Sequence, residues 1–211
     1  MKLLPMVMMA ITAAMAFPAL AQEAEHDYVG VAKCRTCHKK ELMGNQVAAW
    51  RDGPHHRALE TLKNEQSLAI AAERNLGPPH EAAECLSCHV TAHGVPPIRI
   101  AHDLDAEDGV QCESCHGPGR DYRKKKIMSD REVAVAKGLR DPAENERVCT
   151  ACHNENSPTF DPGRYVLPDG TTMGFHFGMA KERILHPIPE DVKGKFVELE
   201  KKLKAEGRKV P

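Results

Sequence analysis

Aromatic side chains are scarce in this chain. Phenylalanine, tyrosine and tryptophan make up 4% of its 211 residues, and Trp50 is the single tryptophan. So little ring volume leaves a large interior hard to fill with side chains. Either another group occupies that volume or much of the chain is loop. An excess of one charge is missing too: lysine and arginine number 29 and aspartate and glutamate 30. That balance argues against nucleic-acid binding as the main role. Past the N-terminus no apolar run is long enough to span a bilayer. No cysteine stands outside one repeated pattern.

The N-terminus itself reads as an export signal. Lys2 supplies a positive start, Leu3 to Leu20 form an apolar run, and Ala19-Leu20-Ala21 fits an A-x-A cleavage site before Gln22-Glu23. The run approaches spanning length, but the small-residue site and the lack of a basic flank after it favour cleavage over an anchor. Residues 1–21 are therefore expected to leave as a signal peptide. A single soluble periplasmic domain over 22–211, without membrane spans, is expected to remain.

Eight cysteines in an exported chain would ordinarily suggest four disulfides. Their spacing says otherwise. They fall as Cys34-Arg35-Thr36-Cys37-His38, Cys85-Leu86-Ser87-Cys88-His89, Cys112-Glu113-Ser114-Cys115-His116 and Cys149-Thr150-Ala151-Cys152-His153. This is the C-x-x-C-H pattern of c-type haem attachment. Two thiols on one helical turn reach the two vinyl groups on one edge of a porphyrin and form thioethers. The next residue then sits beneath the ring, where its imidazole binds the iron. Zinc sites and redox disulfides also use C-x-x-C, but neither needs histidine after every pair. Four covalent haem c groups are expected, held by Cys34, Cys37, Cys85, Cys88, Cys112, Cys115, Cys149 and Cys152. Proximal iron ligands are expected at His38, His89, His116 and His153. Four such groups also supply the missing interior volume.

The expected fold is mainly α with little β, a compact multihaem cytochrome c fold with long loops wrapped around four haems. Glu41 to Leu76 reads largely helical, with Leu59, Leu62, Gln66 and Ala69-Ile70 in period and a stop at Leu76-Gly77-Pro78-Pro79. His89 to Gly109 reads as loop or hairpin with a short extended run at Ile98-Arg99-Ile100. Asn156 to Gly174, rich in proline and glycine, reads as irregular. Met179 to Leu185 reads as a short helix stopped by Pro187. From Asp191, Val192, Phe196, Leu199 and Leu203 line one face of an amphipathic helix packed on the body.

What binds the second face of each iron sets its chemistry: histidine closes it at low potential, methionine raises the potential, and an open face binds small molecules. The chain has twelve histidines, and the surplus points to paired histidine ligation. His55 and His56, after Trp50 and Gly53-Pro54, and His186, before Pro187, are the leading candidates. His26, His80 and His176 read as surface residues.

The order of motifs, Trp50-Arg51-Asp52 ahead of a histidine, the CESCHGPGR run at Cys112 to Arg120 and the closing FHFGMAKERILH resemble the tetrahaem cytochrome c-554 family. That resemblance implies a mainly helical periplasmic electron shuttle with haems in close pairs. It implies that His55 closes the haem on Cys112 and Cys115, and that His186 closes the haem on Cys149 and Cys152. It leaves the iron of His89 open, although His93, four residues on, offers a ligand. Where the family has a histidine about ten residues past the third motif, this chain has Lys126. The first haem therefore takes His93, His102 or Lys126. Arg120 and Arg123 are placed to pair with haem propionates.

These readings converge on an electron carrier that exchanges electrons with other redox proteins and is expected to be a monomer, with no catalytic residues assigned. The rival is a small multihaem reductase of nitrogen oxides working at a five-coordinate haem.

Overall fold

Short helices joined by glycines, prolines and polar caps make up most of the chain. The computed structural model describes residues 26–193 and 195–209, so the expected signal peptide and its cleavage site lie outside the described residues. In order, the α-helices are α1 (Val31–His38), α2 (Gln46–Asp52), α3 (Ala58–Thr61), α4 (Glu65–Glu73), α5 (Ala83–His89) and α6 (Cys112–His116). They continue with α7 (Lys125–Met128), α8 (Arg131–Ala136), α9 (Glu146–Thr150), α10 (Phe177–Glu182) and α11 (Phe196–Ala205). The only sheet among the described residues is a two-stranded antiparallel one, β1 (Tyr165–Val166) with β2 (Thr172–Met173). The fold is mainly α with little β, as the sequence indicates.

The expected helix over Glu41 to Leu76 is present in pieces. A 3₁₀ turn at Glu41–Met43 ends on Gly44 and Asn45, both left-handed, and α2 ends at Gly53. Asn64 then starts α4 afresh by accepting a bond from the Ser67 N–H at 2.8 Å. Each restart resets the helical phase, so Gln66 and Ala69 point to solvent while Leu59, Leu62 and Ala71 are buried. The extended run expected at Ile98–Ile100 is instead a 3₁₀ turn, Pro97–Arg99, leaving Ile98 91% exposed. Ile100 forms an isolated parallel bridge with Tyr28. The stretch Asn156–Gly174, expected to be irregular, contains the β1–β2 hairpin, whose turn Asp169 ties by accepting from Thr171 N–H at 2.9 Å.

The core around the attachment motifs is partly polar. Gln111 and Glu113, each 1% exposed, rank among the largest fully buried side chains. At the C-terminus Val192 is buried, and α11 is held down through buried Glu200. That carboxylate takes the ammonium groups of Lys40 (3.3 Å), Lys204 (3.4 Å) and Lys125. The amphipathic reading of this segment is met, although its first expected helical residue, Val192, sits in the turn before α11. No helix among the described residues is long and apolar enough to cross a membrane.

Candidate haem-binding centre

Each attachment motif lies on a helix or on the turn that continues it. Cys34, Cys37 and His38 are on α1, the second motif on α5 and the third on α6. The fourth begins on α9, and the turn after it carries Cys152 and His153, both of whose N–H groups donate to the Cys149 carbonyl. All eight cysteines are free thiols of intermediate exposure, as attachment to an edge-exposed porphyrin requires.

What brings these helices together is a set of side-chain to backbone bonds around the third motif. Glu113 accepts from the N–H groups of Val29 (2.9 Å), Gly30 (2.8 Å) and Gly119 (2.6 Å). Gln111 accepts from Val31 N–H at 2.9 Å and donates to the Asp105 carbonyl at 2.7 Å. Together they lash the start of α1 to α6. Burial raises the Glu113 carboxyl above its ordinary value, while the bonds from Gly119, Val29 and Gly30 hold it down. Neither residue is a candidate from sequence, although Glu113 lies within the third motif and Gln111 directly precedes it. Gly117, at φ 81°, lies so close to the Gly138 carbonyl that any Cβ there would collide with it.

The consequence is a row of neighbouring attachment sites. α1 packs on α6 and α6 on α9. The Cys34 thiol donates to the Gly30 carbonyl at 3.9 Å, and its neighbourhood with Cys112 pushes Cys34 up and Cys112 down. Cys115 is pushed up to about 11 by burial and by its neighbour Cys149. Cys152 is pushed up to about 12 by burial and by Cys88. Helix packing thus places the third site between the first and the fourth.

The histidines are prepared as neutral ligands. Burial lowers His38, His55, His116 and His153 below the ordinary imidazole value, favouring the uncharged form that binds a metal. His89 donates from Nδ1 to the Ala58 carbonyl at 2.6 Å, and His186 donates from Nδ1 to the Ile184 carbonyl at 2.7 Å. His38 pairs through Nδ1 with Gln46 Oε1 at 3.3 Å. In each case the proton sits on Nδ1 and Nε2 keeps a free lone pair. His176 is reversed: its Nδ1 accepts from Met179 N–H at 3.1 Å and caps α10.

Two histidine pairs span gaps suited to an iron. The rings of His55 and His153 have centroids 6.1 Å apart, and those of His116 and His186 are 6.0 Å apart. These pairs reverse the assignment that the family resemblance implies. His55 lies by the fourth motif and His186 by the third. Position along the chain does not reveal this, because Gly109 brings the loop ahead of α6 onto the carbonyls of His55 and His56. Val110 N–H donates to His55 O at 3.0 Å and the Trp50 indole donates to Val110 O at 2.8 Å. His56 instead packs its ring on Trp50 at 4.5 Å.

The remaining candidates are placed differently. His93, His102 and Lys126 are exposed. Arg120 pairs with Asp27 at 3.4 Å, whereas Arg123 lines the cavity beside the first motif. His26, read from sequence as a surface residue, is 2.7 Å from Asp121 and its ring lies over Gly138. Two thiols and an imidazole on one wall, apolar side chains opposite and cations at the rim make the donor set that a covalent haem uses. The residues fit the group.

Known proteins are similar to this chain. Cytochrome c-554 of Nitrosomonas europaea is 30% identical over 151 residues, 64% of this chain, which spans about 62% of the length of that relative. The solved structure of reduced cytochrome c554 from Nitrosomonas europaea is 26% identical, with 86% of this chain and 85% of that one covered at a TM-score of 0.48. The family described as cytochrome c554 and c-prime matches residues 33–117. That segment holds the first three attachment motifs, Cys34 to His38, Cys85 to His89 and Cys112 to His116.

Proposed function

We propose that this chain is a periplasmic electron carrier with four haem c groups, exported by a cleaved signal peptide. The observation that carries the reading is the packing of α1 on α6 and of α6 on α9, which sets the first, third and fourth attachment motifs side by side. When bound, each haem supplies an iron that takes up and returns one electron. The chain's own residues hold the eight thiols in place, keep the ligand imidazoles neutral and set their Nδ1 protons on protein acceptors. Gln111 and Glu113 keep the first and third sites in register. These are positioning tasks, and none of the groups is arranged for acid–base or nucleophilic work.

Electron donor and acceptor would be other redox proteins, docking briefly through small surfaces, as such encounters do. The test is electron exchange. The purified mature protein, reduced chemically, should pass electrons to a soluble one-electron acceptor protein at a salt-dependent bimolecular rate. It should show no turnover of nitrite, nitric oxide or hydroxylamine. Sustained reduction of any of these would replace the carrier reading with the reductase one.

A further inference from the structure

The first attachment site has one proximal imidazole, His38, and none of the other histidines lines the cavity beside it. That cavity, of about 130 Å³, is bounded by Cys34, Cys37 and His38 on one side and by Met43, Met128 and Phe196 among others. We propose that the thioether of Met128 is the second axial ligand of the iron held by Cys34, Cys37 and His38.

The choice follows from elimination among the lining donors. Lys33 is ion-paired with Asp103, and Lys125 with Glu200. The Tyr122 hydroxyl is committed as a donor to the Gly117 carbonyl at 2.6 Å. Arginine keeps its proton and does not ligate. Two neutral soft donors remain, Met43 and Met128. The Met43 backbone is tied to the Nδ1 side of His38, since its carbonyl accepts from the Gln46 amide whose Oε1 pairs with that nitrogen. Met128 comes from a different segment, at the end of α7, where its N–H donates to the Lys124 carbonyl at 2.9 Å. α7 is tied down by the Lys125–Glu200 pair to α11. A methionine sulfur is polarizable and carries no proton to lose, so it binds iron without the deprotonation that Lys126 would require. Lys126 itself is exposed, as are His93 and His102.

The consequence deepens the electron-carrier reading and rests on it. A histidine–methionine iron has a higher potential than a bis-histidine one. The first site stands at one end of the row, so it becomes the end where electrons collect.

The test uses the whole protein matured with its haems. Ferric protein should show the weak far-red band of sulfur-to-iron charge transfer, from one haem in four. In a redox titration, a quarter of the haem absorbance should reduce ahead of the rest. Met128→Ala should abolish the band and convert one iron to high spin. Met128→His should abolish the band, keep that iron low-spin and move its quarter of the titration to lower potential. Met43→Ala should keep the band. Four haems with no such band would overturn the proposal. So would a band lost in Met43→Ala but kept in Met128→Ala, or a high-spin iron produced by His102→Ala. Fewer than four haems on the wild-type protein would instead overturn the electron-carrier reading, so the two failures are distinguishable.

Discussion

His55 and His153 face one another with ring centroids 6.1 Å apart, although nearly a hundred residues separate them in the chain. The gap accommodates one metal ion between two imidazole nitrogens at bond lengths on the order of 2.0–2.1 Å, as in zinc–histidine sites. The same relationship joins His116 and His186 at 6.0 Å. Each pair matches a motif histidine with a second histidine from a different segment.

This pairing makes a specific prediction. His55→Ala should turn one iron in four high-spin, and that iron should be the one on Cys149 and Cys152. In a variant lacking both of those cysteines, His55→Ala should add no high-spin signal. In a variant lacking Cys112 and Cys115, it should still do so. Electron paramagnetic resonance of the oxidised proteins reads the outcome. A high-spin signal that disappears with Cys112 and Cys115 would restore the pairing implied by family resemblance.

His186→Ala should behave in the complementary way, opening the iron on Cys112 and Cys115. Its loss should leave the His55 site low-spin, because the two pairs share no ligand. Cyanide binding to a single haem, followed optically, provides an independent count.

Glu113 is the polar anchor of the assembly. Truncation to alanine leaves the N–H groups of Val29, Gly30 and Gly119 without their acceptor. Each unpaired buried donor costs about 1–3 kcal/mol, so a loss of several kcal/mol is expected in denaturant titrations of the haem-loaded protein. Glu113→Gln keeps one carbonyl oxygen and should lose less. Equal stability of the alanine variant and the parent would remove Glu113 from its structural role.

Glu200 fixes the C-terminal helix by gathering Lys40, Lys125 and Lys204 on one buried carboxylate. Glu200→Ala should destabilise the protein by about 2 kcal/mol, the scale of a hydrogen bond to a charged group. Faster hydrogen exchange should be confined to α11 and α7. An unchanged exchange pattern would show that the helix is held by its apolar face alone.

The attachment residues are legible in sequence because their chemistry is local: two thiols and an imidazole must lie on one turn. The helix after the first motif is legible only in outline. Gly44, Gly53 and Asn64 restart it, and each restart changes which residues face inward. Histidine pairing is hidden for a different reason. It depends on Trp50 bonding to Val110 and on Gly109 packing against the His55 and His56 carbonyls, contacts that leave no period in the chain. Gln111 and Glu113 are hidden by type, since buried glutamine and glutamate are rare and read as surface residues until their backbone partners are seen.

The account stands on covalent capture of four haems, and the mass of the intact mature protein measures it directly. Expression in a host that matures c-type cytochromes should give a red protein heavier than its polypeptide by four haem groups, and the excess should survive denaturation. A colourless product at the polypeptide mass, or one carrying fewer than four haems, would contradict it.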